Sequence, residues 1–164
     1  MEQPRPENLF DQYKLSQGSK EAFLLATDEA KLINHAFVNP EHLMLGLIRQ
    51  QEQPTLEGFL KNHGIDANRL REVIRFVLKP GDKWVVDDVR VTPSTLAVLN
   101  RAEELSPDDI SPAELLKGIF ETPLKLSQPI TLHLFEDDQK LVKFVEDLNS
   151  FYRDLKSLNP PSLF

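Results

Sequence analysis

The chain has 164 residues, 40% of them hydrophobic and 27% charged, which suits one ordinary globular body or two small fused units and excludes an enzyme core followed by a large second domain. A net charge of −7 with a pI near 5.1 argues against wrapping nucleic acid or an anionic membrane, since both need clustered Lys and Arg. The lack of cysteine removes disulfides, thiolate metal sites and cysteine nucleophiles, the opening MEQPRPENLF holds no apolar signal core, and no apolar run approaches a membrane span, so a soluble cytoplasmic protein is expected.

Residues 1–14 are polar, carry Pro4 and Pro6, and read as a lead-in. Helical spacing then begins: Leu15, Ser19, Ala22, Phe23, Ala26, Ala30 and Ile33 share one face, predicting a first helix over roughly 16–33. Asn39-Pro40 supplies a cap and a first-turn proline for a second, largely buried helix through Leu43, Leu45, Leu47 and Ile48 that ends near Gln50. A short third helix runs from Thr55 to His63 and closes at Gly64. Asp66 caps a fourth, with Leu70, Val73, Ile74 and Val77 on its apolar face and Pro80-Gly81 as its stop. Arg69, Arg71 and Arg75 on that helix read as a solvated basic face.

The segment GDKWVVDDVR at 81–90 has no helical period and reads as a linker, after which the pattern returns. Leu15, Ser16, Ser19, Ala22, Phe23 and Ala26 match Val91, Thr92, Thr95, Val98, Leu99 and Ala102, each 76 residues on. Asn39, Pro40, Leu43, Gly46 and Ile48 match Ser111, Pro112, Leu115, Gly118 and Phe120 at an offset of 72, and Asp66, Leu70, Ile74 and Val77 match Asp137, Leu141, Val145 and Leu148 at 71. Two copies of four short helices cannot each bury every apolar face alone, so the expected fold is all-α, with two pseudo-symmetric four-helix repeats packed into one bundle. The expected layout is lead-in 1–14, repeat one 15–79, linker 80–90, repeat two 91–157 and tail 158–164.

Glu41-His42 is the pair that could carry chemistry. A helical zinc site needs a second histidine four residues on, and positions 45 and 46 are Leu and Gly; His35, His63 and His133 stand singly. No nucleophile elbow and no GxxxxGK phosphate loop exists, so no enzyme, metal site or cofactor is expected. A helix-start role accounts for most of the pair: Asn39 caps, Pro40 starts, Glu41 meets the positive end of the helix dipole, and His42 can fold back on the cap. Ser111-Pro112-Ala113-Glu114 is a capping box of the S-x-x-E form. Gly46 and Gly118, each costing about 1 kcal/mol relative to alanine inside a helix, predict close helix–helix approach.

The stretch LINHAFVNPEHLMLGLIR at 32–49 resembles the repeat motif of the duplicated N-terminal domain of Clp-family AAA+ unfoldases, the ClpC type in particular. The resemblance covers about 15–157, with a shorter connection at Ser106–Ile110 and with Ala113-Glu114 where the family has Glu-His. It implies a non-catalytic recognition module that docks adaptors or substrates for an unfoldase and its protease core, either ahead of an ATPase or as a stand-alone accessory subunit like the ClpT proteins of the plastid stroma. In the ClpC type both copies bind phosphoarginine through a threonine at the start of helix one and the glutamate of Thr-Glu-His. By that resemblance the candidate ligand-binding residues are Ser16, Glu41 and His42 in copy one and Thr92 in copy two, whose carboxylate is missing.

Overall fold

A computed structural model of the chain describes residues 3–82, 88–121 and 123–158. Its elements are α1 (Pro6–Gln12), α2 (Gln17–Leu32), β1 (Phe37–Val38), α3 (Pro40–Arg49), α4 (Thr55–Asn62), α5 (Ala67–Leu78), β2 (Arg90–Val91), α6 (Pro93–Leu105), α7 (Pro112–Ile119), α8 (Gln128–Phe135) and α9 (Asp138–Leu158). The fold is all-α apart from two short strands, and α2–α5 and α6–α9 are the two four-helix repeats. Residues 83–87 of the expected linker and 159–164 of the expected tail lie outside the described residues.

Each repeat begins by borrowing backbone from the other. Val38 pairs with Val91 in the parallel β1–β2 ladder, and Leu15 forms a parallel bridge with Ile110. The two crossings are equivalent under the sequence repeat. The Ser16 N–H donates to the Ile110 carbonyl at 3.0 Å, and the Thr92 N–H to the Val38 carbonyl at 3.2 Å. The next hydroxyl in each helix repeats the contact, Ser19 to Ile110 at 2.7 Å and Thr95 to Val38 at 2.8 Å. Buried carbonyls need partners, and these helix starts supply them across the pseudo-two-fold. Neither repeat completes its backbone bonding alone.

Glycine fixes the distance between the two helices at the heart of each repeat. A methyl group on Gly46 would sit 2.0 Å from the Ala22 carbonyl oxygen, and one on Gly118 would sit 2.7 Å from that of Val98. The close approach expected at both glycines is therefore present, with α3 seated on α2 and α7 on α6.

The stretch expected as a lead-in contains α1, which is anchored by the fully buried Leu9. Ahead of it the Pro4 carbonyl accepts the Val91 N–H at 2.8 Å, joining this segment to β2. Adjacent Leu9 and Phe10 among polar residues set no helical period, so this short helix has no clear signature in the sequence. The described ends of the expected linker are also bound into the fold. The Gly81 N–H donates to the Ile33 carbonyl at 2.8 Å, and Val89 packs with Ala26 and Val38.

The fourth helices differ in what they bury. In α5, Leu70 and Ile74 are covered; in α9 it is Phe144 and Leu148, while Leu141 and Val145 are half-buried. Phe144 enters an aromatic cluster with ring centroids 4.7 Å from Phe120, 4.9 Å from Phe135, 5.0 Å from His63 and 5.5 Å from Phe59. Farther along α9, Phe151 stacks on Phe59 at 4.7 Å, carrying the helix back onto repeat one. Arg69 and Arg71 of α5 are not part of a solvated face, whereas Arg75 is exposed as expected. Arg69 donates to the carbonyls of Gly64, His133 and Leu134, and Arg71 grips Glu29 with Nε and Nη2. Arg49 also reaches Glu29, at 3.1 Å, so two guanidinium groups close over one buried carboxylate.

Candidate binding site at the helix starts

The four residues singled out from sequence sit at three helix starts. Ser16 caps α2, accepting the Ser19 N–H at 3.2 Å, and its hydroxyl donates to the Glu52 carboxylate at 2.6 Å. Thr92 caps α6 in the same way, accepting from the Thr95 N–H at 3.3 Å, with its hydroxyl 3.2 Å from the Val38 carbonyl. Glu41, 3% exposed in the first turn of α3, accepts the Ser127 N–H at 2.8 Å and so holds the start of α8. In copy two the matching position is Ala113, whose backbone N–H is met by the Gln53 side chain at 2.9 Å. At both points a side chain of repeat one crosses the interface to accept a backbone N–H of repeat two, Glu41 with a carboxylate and Gln53 with an amide oxygen.

His42 is fully buried and folds back on the cap as expected, its Nδ1 accepting the Asn39 N–H at 3.0 Å. Its Nε2 lies 3.1 Å from His35 Nδ1, and His35 Nε2 lies 2.6 Å from the Lys79 carbonyl. The two ends of this chain fix its protons. A backbone N–H can only donate and a carbonyl can only accept, so each ring carries one proton, on Nε2, and both imidazoles are neutral. Burial, with the neighbouring His35, lowers the His42 pKa to about 3. Both ring nitrogens of His42 are therefore occupied, leaving no lone pair for a metal and no proton to exchange with a substrate.

Copy two fills the same slot with the opposite chemistry. Glu114, also fully buried, accepts from the Ser111 N–H at 2.9 Å and the Ser111 hydroxyl at 2.7 Å. Its second oxygen lies 3.2 Å from the Lys156 ammonium, an ion pair without hydrogen-bond alignment. Tyr152 lies close to Glu114, and burial together with that carboxylate pushes the Tyr152 pKa up. In each repeat, then, the third residue of the second helix reaches chain beyond or within the fourth helix: Lys79 through two imidazoles, and Tyr152 and Lys156 through a carboxylate.

The structure gives Ser16, Glu41, His42 and Thr92 intramolecular partners at separate helix starts. Glu52, Gln53 and Ser127, which complete them, carry no sequence signal, because each arrives from a connection with neither period nor motif. Among the described residues no group of three His, Asp or Glu could hold a metal ion, and no helix is long and apolar enough to cross a membrane.

A duplicated helical module whose two copies share caps, glycine contacts and crossed backbone pairs defines the class of protein. The family described as the Clp repeat (R) N-terminal domain matches residues 14–127, and the chain belongs to that family. Among curated relatives, a probable ATP-dependent Clp protease ATP-binding subunit of Chlamydia pneumoniae is 26% identical over 91% of this chain and 18% of its own length. A homologue of the Clp protease ATP-binding subunit ClpA from Trieres chinensis is 28% identical over 54% of this chain and 10% of its own. The chain therefore spans less than a fifth of either relative. Among solved structures, the N-terminal domain of the chaperone ClpD from Arabidopsis thaliana superposes with a TM-score of 0.64 at 22% identity, covering 85% of this chain and 95% of that one. The N-terminal domain of Hsp104 from Candida albicans gives 0.58 at 15% identity, covering 83% and 91%. These likenesses establish the fold.

Proposed function

We propose that the chain is a non-catalytic protein-binding module that docks adaptors or substrates for a Clp-type AAA+ unfoldase and its protease, in the cytoplasm or the plastid stroma where such machinery resides. The observation that carries this reading is membership of the Clp repeat family over 14–127, on a fold that covers nearly all of an isolated Clp N-terminal domain. The test is calorimetric titration of the purified chain with a Clp adaptor protein and, separately, with the assembled protease core. Binding to the adaptor without turnover supports the proposal. Binding to the protease core alone replaces it with an accessory-subunit role of the ClpT kind, and hydrolysis of an added peptide overturns it.

Within this reading Ser16, Glu41, His42 and Thr92 act as structural ties and not as a phosphoarginine site. A phosphate at the start of α2 would displace the Glu52 carboxylate from Ser16, and a guanidinium at Glu41 would compete with the Ser127 N–H. Titration with free phosphoarginine is expected to give no binding heat. Saturable binding that disappears in Glu41→Ala, with the variant still folded by circular dichroism, would overturn the structural assignment.

A further inference from the structure

The two repeats leave opposite surfaces at equivalent places. In repeat one, Glu29 of α2, Arg49 of α3 and Arg71 of α5 close over the apolar face formed by Leu70 and Ile74. The matching positions in repeat two are Leu105, Glu121 and Val142, so the ion cluster is gone. In its place lies a groove of about 290 Å³ between the end of α7 and the first half of α9. Phe120 forms its buried floor, Leu124, Leu141 and Val145 its half-buried walls, and Val142, 55% exposed, its lip. Its rim is acidic: Glu121 and Glu146 stand where repeat one has Arg49 and Arg75. Glu121 is shared with Lys117 at 3.3 Å and Arg101 at 3.6 Å, whereas Glu146 lies exposed on the α9 side of the groove.

We propose that this groove docks a short apolar segment of a partner protein that carries Lys or Arg beside its apolar side chains. The proposal rests on the protein-binding reading above and gives it a place and a partner chemistry. The groove lies just below the range of about 300–1,000 Å³ usual for small-molecule pockets, and it is open, so it suits one or two side-chain anchors of a peptide better than an enclosed ligand. Apolar walls supply the affinity, while rim carboxylates select basic over acidic segments and speed encounter.

The test uses the whole chain and two synthetic peptides, Lys-Leu-Leu-Val-Lys and its twin with Glu in place of both Lys, followed by fluorescence anisotropy and amide chemical shifts. The basic peptide is expected to bind, to shift the amides of Phe120, Leu141, Val142 and Val145, and to bind several-fold tighter than the acidic twin. Val142→Asp, at an exposed position, is expected to weaken the basic peptide about tenfold, equivalent to about 1.4 kcal/mol. Glu146→Lys is expected to lower the preference for the basic peptide about threefold, the scale of an exposed ion pair. Leu24→Asp, an exposed site on α2, serves as the control and leaves affinity unchanged. Shifts confined to another surface, or a Val142→Asp affinity equal to that of the parent, overturn the groove while leaving the adaptor-binding test standing. If adaptor binding fails but the peptides bind here as described, the groove stands and the wider assignment falls.

Discussion

Helix α5 buries Leu70 and Ile74, whereas its counterpart α9 buries Phe144 and Leu148, the positions that match Val73 and Val77. At about 100° per residue this is a rotation of roughly 60° about the helix axis. The apolar pattern of the fourth helix, positions 70, 73, 74 and 77 in one copy and 141, 144, 145 and 148 in the other, is nearly the same. The environment decides which half of the stripe goes inward. In repeat one, Arg71 points to the buried Glu29 and draws the 70/74 side under α2. In repeat two no such charge exists, and the aromatic cluster around Phe120 and Phe135 takes Phe144 instead. Duplication thus kept the glycine contact and the crossed backbone pair of the first two helices in each unit and let the fourth diverge. The family match at 14–127 stops just before α8 and α9, where that divergence lies.

Several substitutions bear on this contrast. The shared part should be the least tolerant. Gly46→Ala places a methyl group 2.0 Å from backbone that cannot retreat, so a loss of about 3 kcal/mol or outright failure to fold is expected; Gly118→Ala, at 2.7 Å, should cost about 1–2 kcal/mol. Urea melts of the two variants test whether the glycine contacts are equivalent, and equal small losses would show that α3 and α7 can slide.

The diverged part should respond to exchange. Glu29→Gln removes the charge that two guanidinium groups share, and since both arginines are about a third exposed the expected cost is about 2 kcal/mol and not the larger penalty of a fully buried pair. The double variant Glu29→Leu with Arg71→Val installs the repeat-two residues and should recover at least half of that loss. No recovery in urea melts would mean that the ion cluster does not govern the seating of α5.

The contrast also predicts a pH dependence. The folded-state pKa of His42 is lowered to about 3 from an ordinary value of 6.5, so the unfolded chain binds the proton first as pH falls. Stability carried by the neutral relay is full above about pH 6.5 and declines between there and about pH 3, by at most about 1.4 kcal/mol per pH unit. The facing groups are His35 in the relay and Glu29, Arg71 and Arg75, which border the same small hollow; Glu114, in the matching slot of repeat two, lies in a separate bonding set. Urea midpoints measured at pH 7, 6 and 5 should fall more steeply in the parent than in His42→Gln. Parallel curves would remove the relay as their source.

The sequence alone determined the all-α class, the duplication, the caps at Asn39, Asp66 and Ser111, the fold-back of His42 and the tight crossings at Gly46 and Gly118. All of these depend on neighbours within a few residues or on a pattern that repeats. Tertiary structure decided that Glu29 meets Arg71 across 42 residues and that Glu41 meets the Ser127 backbone across 86. It also decided that Arg69 and Arg71 are ties and not a solvated face, and that α9 turns its Leu141, Val142 and Val145 side outward. A helical stripe specifies that a face will be buried. Which edge of the stripe reaches the core depends on the charges and rings brought to it by distant parts of the chain, and local periodicity carries no record of those.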